Sequence, residues 1–128
     1  MIRWTAVFVL LPVLASAQEA FQLPTGNIHC AVVDQRLRCD VLNFAYQRPP
    51  RPRGCDLDYG GAVEMAPAGL PALICHGDTI ANPMAPVLGY GQAWQGGGMA
   101  CLATQAGLRC VNAEGHGFEM ARARLLFF

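Results

Sequence analysis

Apolar and polar residues alternate along two segments of the chain that have the same length and the same ending. The segments are CAVVDQRLRC (residues 30–39) and CLATQAGLRC (residues 101–110), which share the form C-x8-C and the ending Leu-Arg-Cys. A period of two residues is typical of β-strands with one buried face. Each segment is therefore predicted to form an antiparallel hairpin, with Asp34-Gln35 and Gln105-Ala106 as the two-residue turns.

The chain contains 6 cysteines, and an even number in a short chain is typical of a disulfide framework formed in an oxidising compartment. Cysteines at the two ends of a hairpin face each other at a Cα separation of about 4.5–5.5 Å, which a disulfide can bridge. This predicts the bridges Cys30–Cys39 and Cys101–Cys110. Six cysteines formally allow many connectivities, and Cys55–Cys75 follows only by elimination. No C-x-x-C pair occurs, which argues against a thioredoxin-like redox site and a zinc ribbon.

The remainder of the chain favours short strands over long helices. Glycine and proline interrupt residues 47–98 and leave little room for a helix. Strands are expected at residues 62–66, 72–75 and 92–94. The tail FEMARARLLFF fits helical and strand spacing, and we expect a strand followed by an irregular end. The predicted fold class is a mostly β, small single domain of short antiparallel strands and hairpins, stapled by three disulfides.

Residues 1–17, MIRWTAVFVLLPVLASA, are predicted to be a secretory signal peptide. Arg3 supplies the positive start, residues 7–14 the apolar core and Ala15-Ser16-Ala17 the small-residue cleavage site. The uncharged stretch is shorter than a membrane-spanning helix, and no later segment is apolar enough for one. The mature domain is therefore expected to be residues 18–128, exported to the periplasm or the extracellular space.

Charged residues are sparse and balanced, with Lys+Arg 9 against Asp+Glu 9 and no lysine. A nucleic-acid-binding domain needs a strongly basic face, so nucleic acid is not an expected partner. The basic cluster Arg48, Arg51 and Arg53 lies in QRPPRPRGC, which its prolines hold extended. These arginines are candidates for binding anionic cell-envelope material or an acidic protein. A solvated linker is the simpler interpretation.

The polar residues that could form a catalytic or metal site are His29, His76, Asp78 and His116. On a strand His76 and Asp78 would share a face, and with His116 they are weak candidates for a base and its orienting partner or for a metal site. No recognised nucleophile motif and no H-x-H or H-x-x-x-H spacing occurs. We therefore expect no metal and no cofactor, and we expect the histidines to close turns through hydrogen bonds to the backbone.

His116 lies between two glycines in AEGHGFEM. Glycine permits a positive φ and the close approach of another backbone. Two interpretations follow: an exposed loop tip that presents the imidazole to a ligand, or a turn buried against the first hairpin. Phe118 follows at once and returns the chain to the core, which favours the buried turn.

The segment VLGYGQAWQGGGM places Tyr90 and Trp94 among five glycines. Exposed aromatic side chains on a glycine-rich loop suit a carbohydrate or peptide surface. The alternative, which we favour, is that both aromatics cap the core of a small domain.

Five motifs occur in order: FQLPTGNIHC, LRCD, VLGYGQAW, GLRCVN and GHGF. Together they resemble a family of small secreted bacterial domains of unknown function, with the pattern F-x-x-P-(S/T)-G-N-I-x-C, R-C-D, Y-G, C and G-H-G-F. The resemblance covers about residues 21–128. It implies export, a cysteine-stapled domain and no established activity, and it assigns no catalytic residue. The matching positions are Gly26, Asn27, Cys30, Cys39, Tyr90, Gly91, Cys101, Cys110, Gly115, His116, Gly117 and Phe118.

The leading functional hypothesis is a non-enzymatic binding or interaction module of the cell envelope. Its partner is unidentified, and a cell-envelope component or an exported protein is expected. Tyr90, Trp94 and the arginine cluster are the candidate ligand-binding residues. One alternative is a small hydrolase or metal-dependent enzyme that uses His116 with His76 and Asp78, and another is a purely structural envelope protein.

Overall fold

The computed structural model describes residues 19–128 together with Thr5. The predicted signal peptide, residues 1–17, therefore lies outside the described residues except for Thr5. Within residues 19–128 the regular structure consists of ten β-strands without a helix. Accordingly, none of the described residues belongs to a helix long and apolar enough to cross a membrane. The all-β fold class predicted from the alternating pattern is confirmed.

The strands form two antiparallel sheets of five strands each, and within each sheet the strand order follows the chain. The first sheet has the order β1-β2-β3-β4-β5 and the second the order β10-β9-β8-β7-β6. The bounds are β1 Ala20–Gln22, β2 Ile28–Val33, β3 Arg36–Val41, β4 Ala62–Met65, β5 Ala72–Leu73, β6 Ala93–Gly96, β7 Met99–Thr104, β8 Gly107–Asn112, β9 Gly117–Ala121 and β10 Arg124–Phe127.

Both predicted hairpins are present in the predicted register. Cys30 faces Cys39 across β2 and β3, and Cys101 faces Cys110 across β7 and β8. The tip of the first hairpin has φ +50° at Asp34 and +65° at the next residue, the positive values that a two-residue type I′ turn requires.

The second hairpin turns differently. Its tip residues are not in the left-handed region, and Gly107 takes the positive φ of +130° instead. A Cβ at this position would collide with the carbonyl oxygen of Met120 on the neighbouring strand. Glycine is therefore required here both for its conformation and for its size.

All three predicted disulfides are formed. The hairpin bridges Cys30–Cys39 and Cys101–Cys110 each have a Cα separation of 4.1 Å. The third bridge, Cys55–Cys75, joins residues 20 positions apart with a Cα separation of 5.8 Å. Because these bridges account for every cysteine of the chain, the described residues contain no free thiol.

The tail differs from the prediction. We expected a strand followed by an irregular end, and that end is instead a second strand, β10, paired with β9. Phe128 continues the pairing, because its N–H and carbonyl both bond to the backbone of Gly117, at 3.0 and 2.9 Å. The short central strands also differ in their bounds: β4 and β5 end earlier than predicted, and β6 is displaced toward the second hairpin.

The two sheets are structural repeats of each other. In the first sheet the cross-strand row runs Phe21–Cys30–Cys39–Val63, and in the second it runs Trp94–Cys101–Cys110–Phe118. The sequence repeats around these rows: AFQ in β1 corresponds to AWQ in β6, and VEM in β4 corresponds to FEM in β9. The chain thus forms the same five-stranded meander twice.

One hydrophobic core includes side chains of both sheets. The rows that contain the hairpin disulfides face this core, and the rings of Phe21 and Trp94, at equivalent positions of the two repeats, lie 5.3 Å apart. Because side chains alternate along a strand, the neighbouring row of each sheet points away from the core. We call these rows the outer rows. They are Gln22–His29–Asp40–Ala62 in the first sheet and Gln95–Ala100–Val111–Gly117 in the second.

Candidate functional site

Polar side chains of the first outer row are buried although they point away from the core. Gln22, His29 and Asp40 are only 9, 4 and 2% exposed. They are covered by residues 78–88, the segment that leads from the first repeat to the second, which we call the strap. Among residues 19–128 no buried side-chain nitrogen or oxygen lacks a hydrogen-bond partner, so the burial of these polar groups is compensated.

Asp40 holds the beginning of the strap. Its carboxylate accepts hydrogen bonds from the Thr79 hydroxyl at 2.9 Å and from the Ile80 N–H at 3.1 Å. It also accepts two from the guanidinium of Arg38, at 3.0 and 3.1 Å, and Arg38 donates a further bond of 2.8 Å to the carbonyl of Asp78. A bidentate Arg–carboxylate pair is geometrically specific, and here it fixes the path of the strap.

His29 holds the middle of the strap with its ring. The Asn82 N–H donates to Nδ1 at 3.2 Å, and Nε2 lies 2.9 Å from the carbonyl oxygen of Gly26. Because Nδ1 is an acceptor, the proton of the neutral imidazole is on Nε2, which donates to Gly26. His29 thus binds backbone on both sides, and its ring nitrogens are engaged in the fold.

Gln22 holds the end of the strap with its side chain and its backbone. Its amide nitrogen donates to the carbonyls of Pro83 and Ala85, both at 2.9 Å. Its backbone N–H donates to Pro86 O at 2.9 Å, and its carbonyl accepts from Leu88 N–H at 2.8 Å. This is a parallel β-bridge between Gln22 and residue 87. The strap therefore ends as an added strand along the free edge of β1.

A polar pocket of about 380 Å³ lies beside the start of the strap. Its wall combines charged and aromatic side chains, and two of its segments are joined by the Cys55–Cys75 disulfide and by a β-bridge between Asp58 and His76. The lining residues are Asp40, Val41, Leu42, Phe44, Arg48, Asp58, Tyr59, Gly61, His76, Gly77, Asp78 and Thr79.

The pocket brings together two of the three catalytic candidates. His76 and Asp78 both line it, and His76 Nδ1 lies 3.3 Å from the backbone carbonyl of Asp78 rather than from its carboxylate. His116 is not part of the lining. Within residues 19–128 no group of three His, Cys, Asp or Glu side chains is arranged to hold a metal ion.

His116 lies in the turn between β8 and β9 and is held through its backbone. The Asn112 side-chain oxygen accepts its N–H at 3.2 Å, and its carbonyl accepts the Asn112 N–H at 2.8 Å. Gly115 has a φ of +80° with open space around it, and a Cβ at Gly117 would collide with the carbonyl of Cys110. The predicted close approach thus exists, but its partner is β8 of the same sheet and not the first hairpin.

The three arginines of the extended segment are all exposed. Arg48 borders the polar pocket and lies over the ring of Phe44, at 5.3 Å. Phe44 stacks on Tyr46 at 4.4 Å, and the Tyr46 hydroxyl donates to Gly60 O at 2.6 Å. Burial raises the pKa of Tyr46 to about 12, and the nearby Arg48 charge opposes this only in part. Arg51 and Arg53 do not line the pocket.

The two aromatic candidates of the glycine-rich segment have different environments. Trp94 is 6% exposed and is part of the core, whereas Tyr90 is 45% exposed. Trp94 also contributes to the lining of a surface groove of about 1260 Å³, and Tyr90 does not.

This groove lies over the second outer row, which no strap covers among the described residues. Residues 86–88, 92–100 and 111–113 line it, and within the described chain none of them is charged. Gln95, Ala100 and Val111 of the outer row are in the lining, and they are exposed or partly exposed where Gln22, His29 and Asp40 are buried. Within residues 19–128, the second repeat therefore leaves uncovered the surface that the first repeat covers.

Sequence reasoning did not identify Gln22, Asp40 and Asn112 as residues that bind loop backbone, or the groove itself. The side-chain amide of Asn112, for example, donates to the carbonyl oxygens of both Ala66 and Gly69, at 3.1 and 2.8 Å. One signal for the groove was present in the sequence: the glutamine shared by AFQ and AWQ marks equivalent outer-row positions in the two repeats.

Comparison with known proteins identifies a family, and the function of that family is unknown. The model of a family of unknown function, DUF6636, matches residues 4–128. No curated protein and no solved structure matches the chain.

Proposed function

Since the chain belongs to the DUF6636 family, whose function is unknown, we propose from its structure that it is an exported, non-enzymatic binding module of the cell envelope. The observation that carries this proposal is the uncharged groove of about 1260 Å³ over the second sheet. Concave surfaces of this size with a few placed polar groups are the usual form of a binding site.

The rigidity of the domain supports a binding role. Three disulfides staple it, two of them within the sheets and one beside the polar pocket. A preorganised surface loses little conformational entropy when a partner binds, which favours affinity. The disulfides also support export, because such bridges persist in oxidising compartments.

The exposed arginines offer a second surface to the same module. Arg48, Arg51 and Arg53 are exposed on a proline-rich segment without regular secondary structure, which ends in a turn at residues 52–55. An anionic envelope component is the complementary partner for this surface, while the uncharged groove suits a partner without charge. Tyr90, which is exposed, is an additional candidate contact.

Site-specific photo-crosslinking in the producing cells tests the proposal. A benzoylphenylalanine placed at Ala100, in the groove, is expected to give a discrete adduct in the envelope fraction. The matched control is Leu102, which lies on the same strand and the same face, is 41% exposed and does not line the groove. An absence of adducts from position 100, or the same adducts from both positions, would contradict a binding role for the groove and would favour a purely structural protein.

The polar pocket favours one second candidate, a small hydrolase that would use His76 and Asp78 without His116. The supporting observation is that His76 and Asp78 line one cavity together with Asp58. In that case, an H76A variant would lose turnover of a model ester while the crosslink from position 100 persisted. Hydrolysis at the same rate by wild type and H76A would remove this candidate.

A further inference from the structure

We infer that the groove binds an extended, uncharged polypeptide segment of a partner protein, which adds to the edge of β6 as the strap adds to the edge of β1. This inference rests on the proposed binding function and specifies its ligand class. Its basis is that the molecule contains the same surface twice, once covered and once open.

The strap shows what covers this surface in the first repeat. It crosses the outer row with one turn, which the Ala85 N–H closes by donating to the Asn82 carbonyl at 3.0 Å. Its contacts with Asp40, His29 and Gln22 succeed one another from Thr79 to Leu88. Most of these contacts engage its backbone N–H and carbonyl groups rather than its side chains. A polypeptide segment of about ten residues, held through its backbone and extended where it pairs with the strand edge, is therefore the kind of ligand that such a row binds.

Gln95 occupies in the second repeat the position that Gln22 occupies in the first. Along an antiparallel ladder, hydrogen-bonded and non-hydrogen-bonded pairs alternate. The carbonyl oxygen of Gln92 accepts the N–H of Ala103. Counting along β6 from this bond, the pairs formed by Trp94 and Gly96 are hydrogen-bonded and the Gln95–Ala100 pair is not. The N–H and carbonyl of Gln95 therefore point away from β7, toward the open edge of the sheet, as those of Gln22 point toward the strap.

The edge at β6 is accessible to a peptide. β6 is the last strand of its sheet and has four residues. Among residues 19–128, no backbone group bonds to the outward side of Gln95. Gly97 and Gly98, with φ of +60° and +81°, form the tight turn that follows, and without side chains they leave the end of the groove open to an incoming backbone. Unpaired strand edges of this kind are templates for strand addition.

The side chains of the two rows differ in a way that defines the ligand. Ala100 and Val111 stand where the first repeat has His29 and Asp40. The polar groups that anchor the covalently linked strap are replaced by apolar ones, and only the glutamine is kept. A partner segment is thus expected to have apolar or small residues over Ala100 and Val111 and to be held by its backbone at Gln95, because a charge buried there would lack a partner.

Selection of linear peptides tests the inference. Random eleven-residue peptides displayed on phage are selected on the protein with its three disulfides formed, and the affinities of the enriched peptides are measured for four variants. Q95P removes the edge N–H without breaking the ladder to β7, Q95A removes only the amide, A100D places a charge in the groove, and L102D places the same charge outside it. Circular dichroism and unfolding curves confirm that each variant is folded.

Enriched peptides with uncharged central residues, bound at least about tenfold more weakly by Q95P and A100D and within about twofold by L102D, would support the inference. Q95A is expected to cost several-fold, because it loses the amide but keeps the edge. Peptides whose binding is unchanged in Q95P and A100D, or the failure to enrich any peptide sensitive to these variants, would overturn it. If no such peptide is enriched but position 100 still gives a crosslink in cells, the proposed binding function would stand and the ligand would be of another kind.

Discussion

The Asp40 carboxylate is the buried, charged anchor of the strap, and its replacement by asparagine tests how the first outer row is covered. The D40N variant keeps the size of the side chain and removes its charge. Four donors converge on this carboxylate: two from Arg38, the Thr79 hydroxyl and the Ile80 N–H. In the variant, an NH2 group must face some of these donors, and Arg38 loses its ionic partner.

The expected cost follows from the burial of the pair. The side chains of Arg38 and Asp40 are 16 and 3% exposed, and removing one partner of a buried ion pair costs about 3–5 kcal/mol. Because the guanidinium reaches some solvent and keeps its bond to the Asp78 carbonyl, we expect the lower end, about 3 kcal/mol. With a urea dependence of about 1.5 kcal/mol/M for a small domain, the unfolding midpoint falls by about 2 M.

Equilibrium urea unfolding of wild type, D40N and D34N measures this. Asp34 is an exposed aspartate at the tip of the same hairpin, where φ is positive. Asparagine tolerates this conformation, so D34N should stay within about 0.5 kcal/mol of wild type. Hydrogen exchange gives a local readout: the Ile80 amide should exchange faster in D40N than in wild type, and its exchange rate in D34N should be unchanged. A loss below about 1 kcal/mol, or an unchanged Ile80 exchange rate, would refute the assignment of Asp40 as the anchor.

Three further predictions concern the turn at His116, the central disulfide and the partly buried Tyr46. G117A should destabilise the fold by about 3 kcal/mol or more, because its methyl group meets the backbone of β8; G77A, with ordinary contacts, is the control, and equal urea midpoints would refute this. Replacing Cys55 and Cys75 together by serine should lower the free energy of unfolding by about 3 kcal/mol, because the bridge closes a loop of 20 residues. An unchanged urea unfolding midpoint would contradict this. The raised pKa of Tyr46 implies a contribution to stability that is complete below pH 10.0 and is lost as pH rises to about 12. The Y46F variant should lack both this loss and the tyrosinate absorbance step near pH 12. An equal loss of stability with pH in wild type and Y46F would contradict this prediction.

The repeat explains why one domain has a closed and an open outer surface. In the first repeat, Arg38, His29 and Asp40 supply polar groups that bind the connecting segment. In the second repeat the equivalents of His29 and Asp40 are Ala100 and Val111, which cannot bind a backbone through side-chain hydrogen bonds. The difference between the two copies of one meander is therefore the basis for the proposed binding site.

The two disulfide-bridged hairpins of this protein follow from local patterns in its sequence. Each C-x8-C segment contains its own alternation, its turn and the two cysteines that meet across it, so the hairpins at Cys30–Cys39 and Cys101–Cys110 could be predicted in register. The central bridge followed by elimination from these two. The two hairpins depend on residues within about ten positions of each other, where strand periodicity and turn chemistry are informative.

The environment of the outer rows depends on long-range contacts that local sequence patterns do not show. Gln22 binds carbonyls that are 61 and 63 residues away, and Asp40 binds groups 39 and 40 residues away, so no local pattern distinguishes these side chains from ordinary solvent-facing ones. β10 was missed for a different reason: its residues are mostly exposed and show no clear strand alternation, and their strand conformation comes from pairing with β9. The pocket that contains His76 and Asp78 is formed by segments between residues 40 and 79, which long-range contacts such as the Cys55–Cys75 bridge bring together. The groove at Ala100 and Val111 is formed by the second repeat together with residues 86–88.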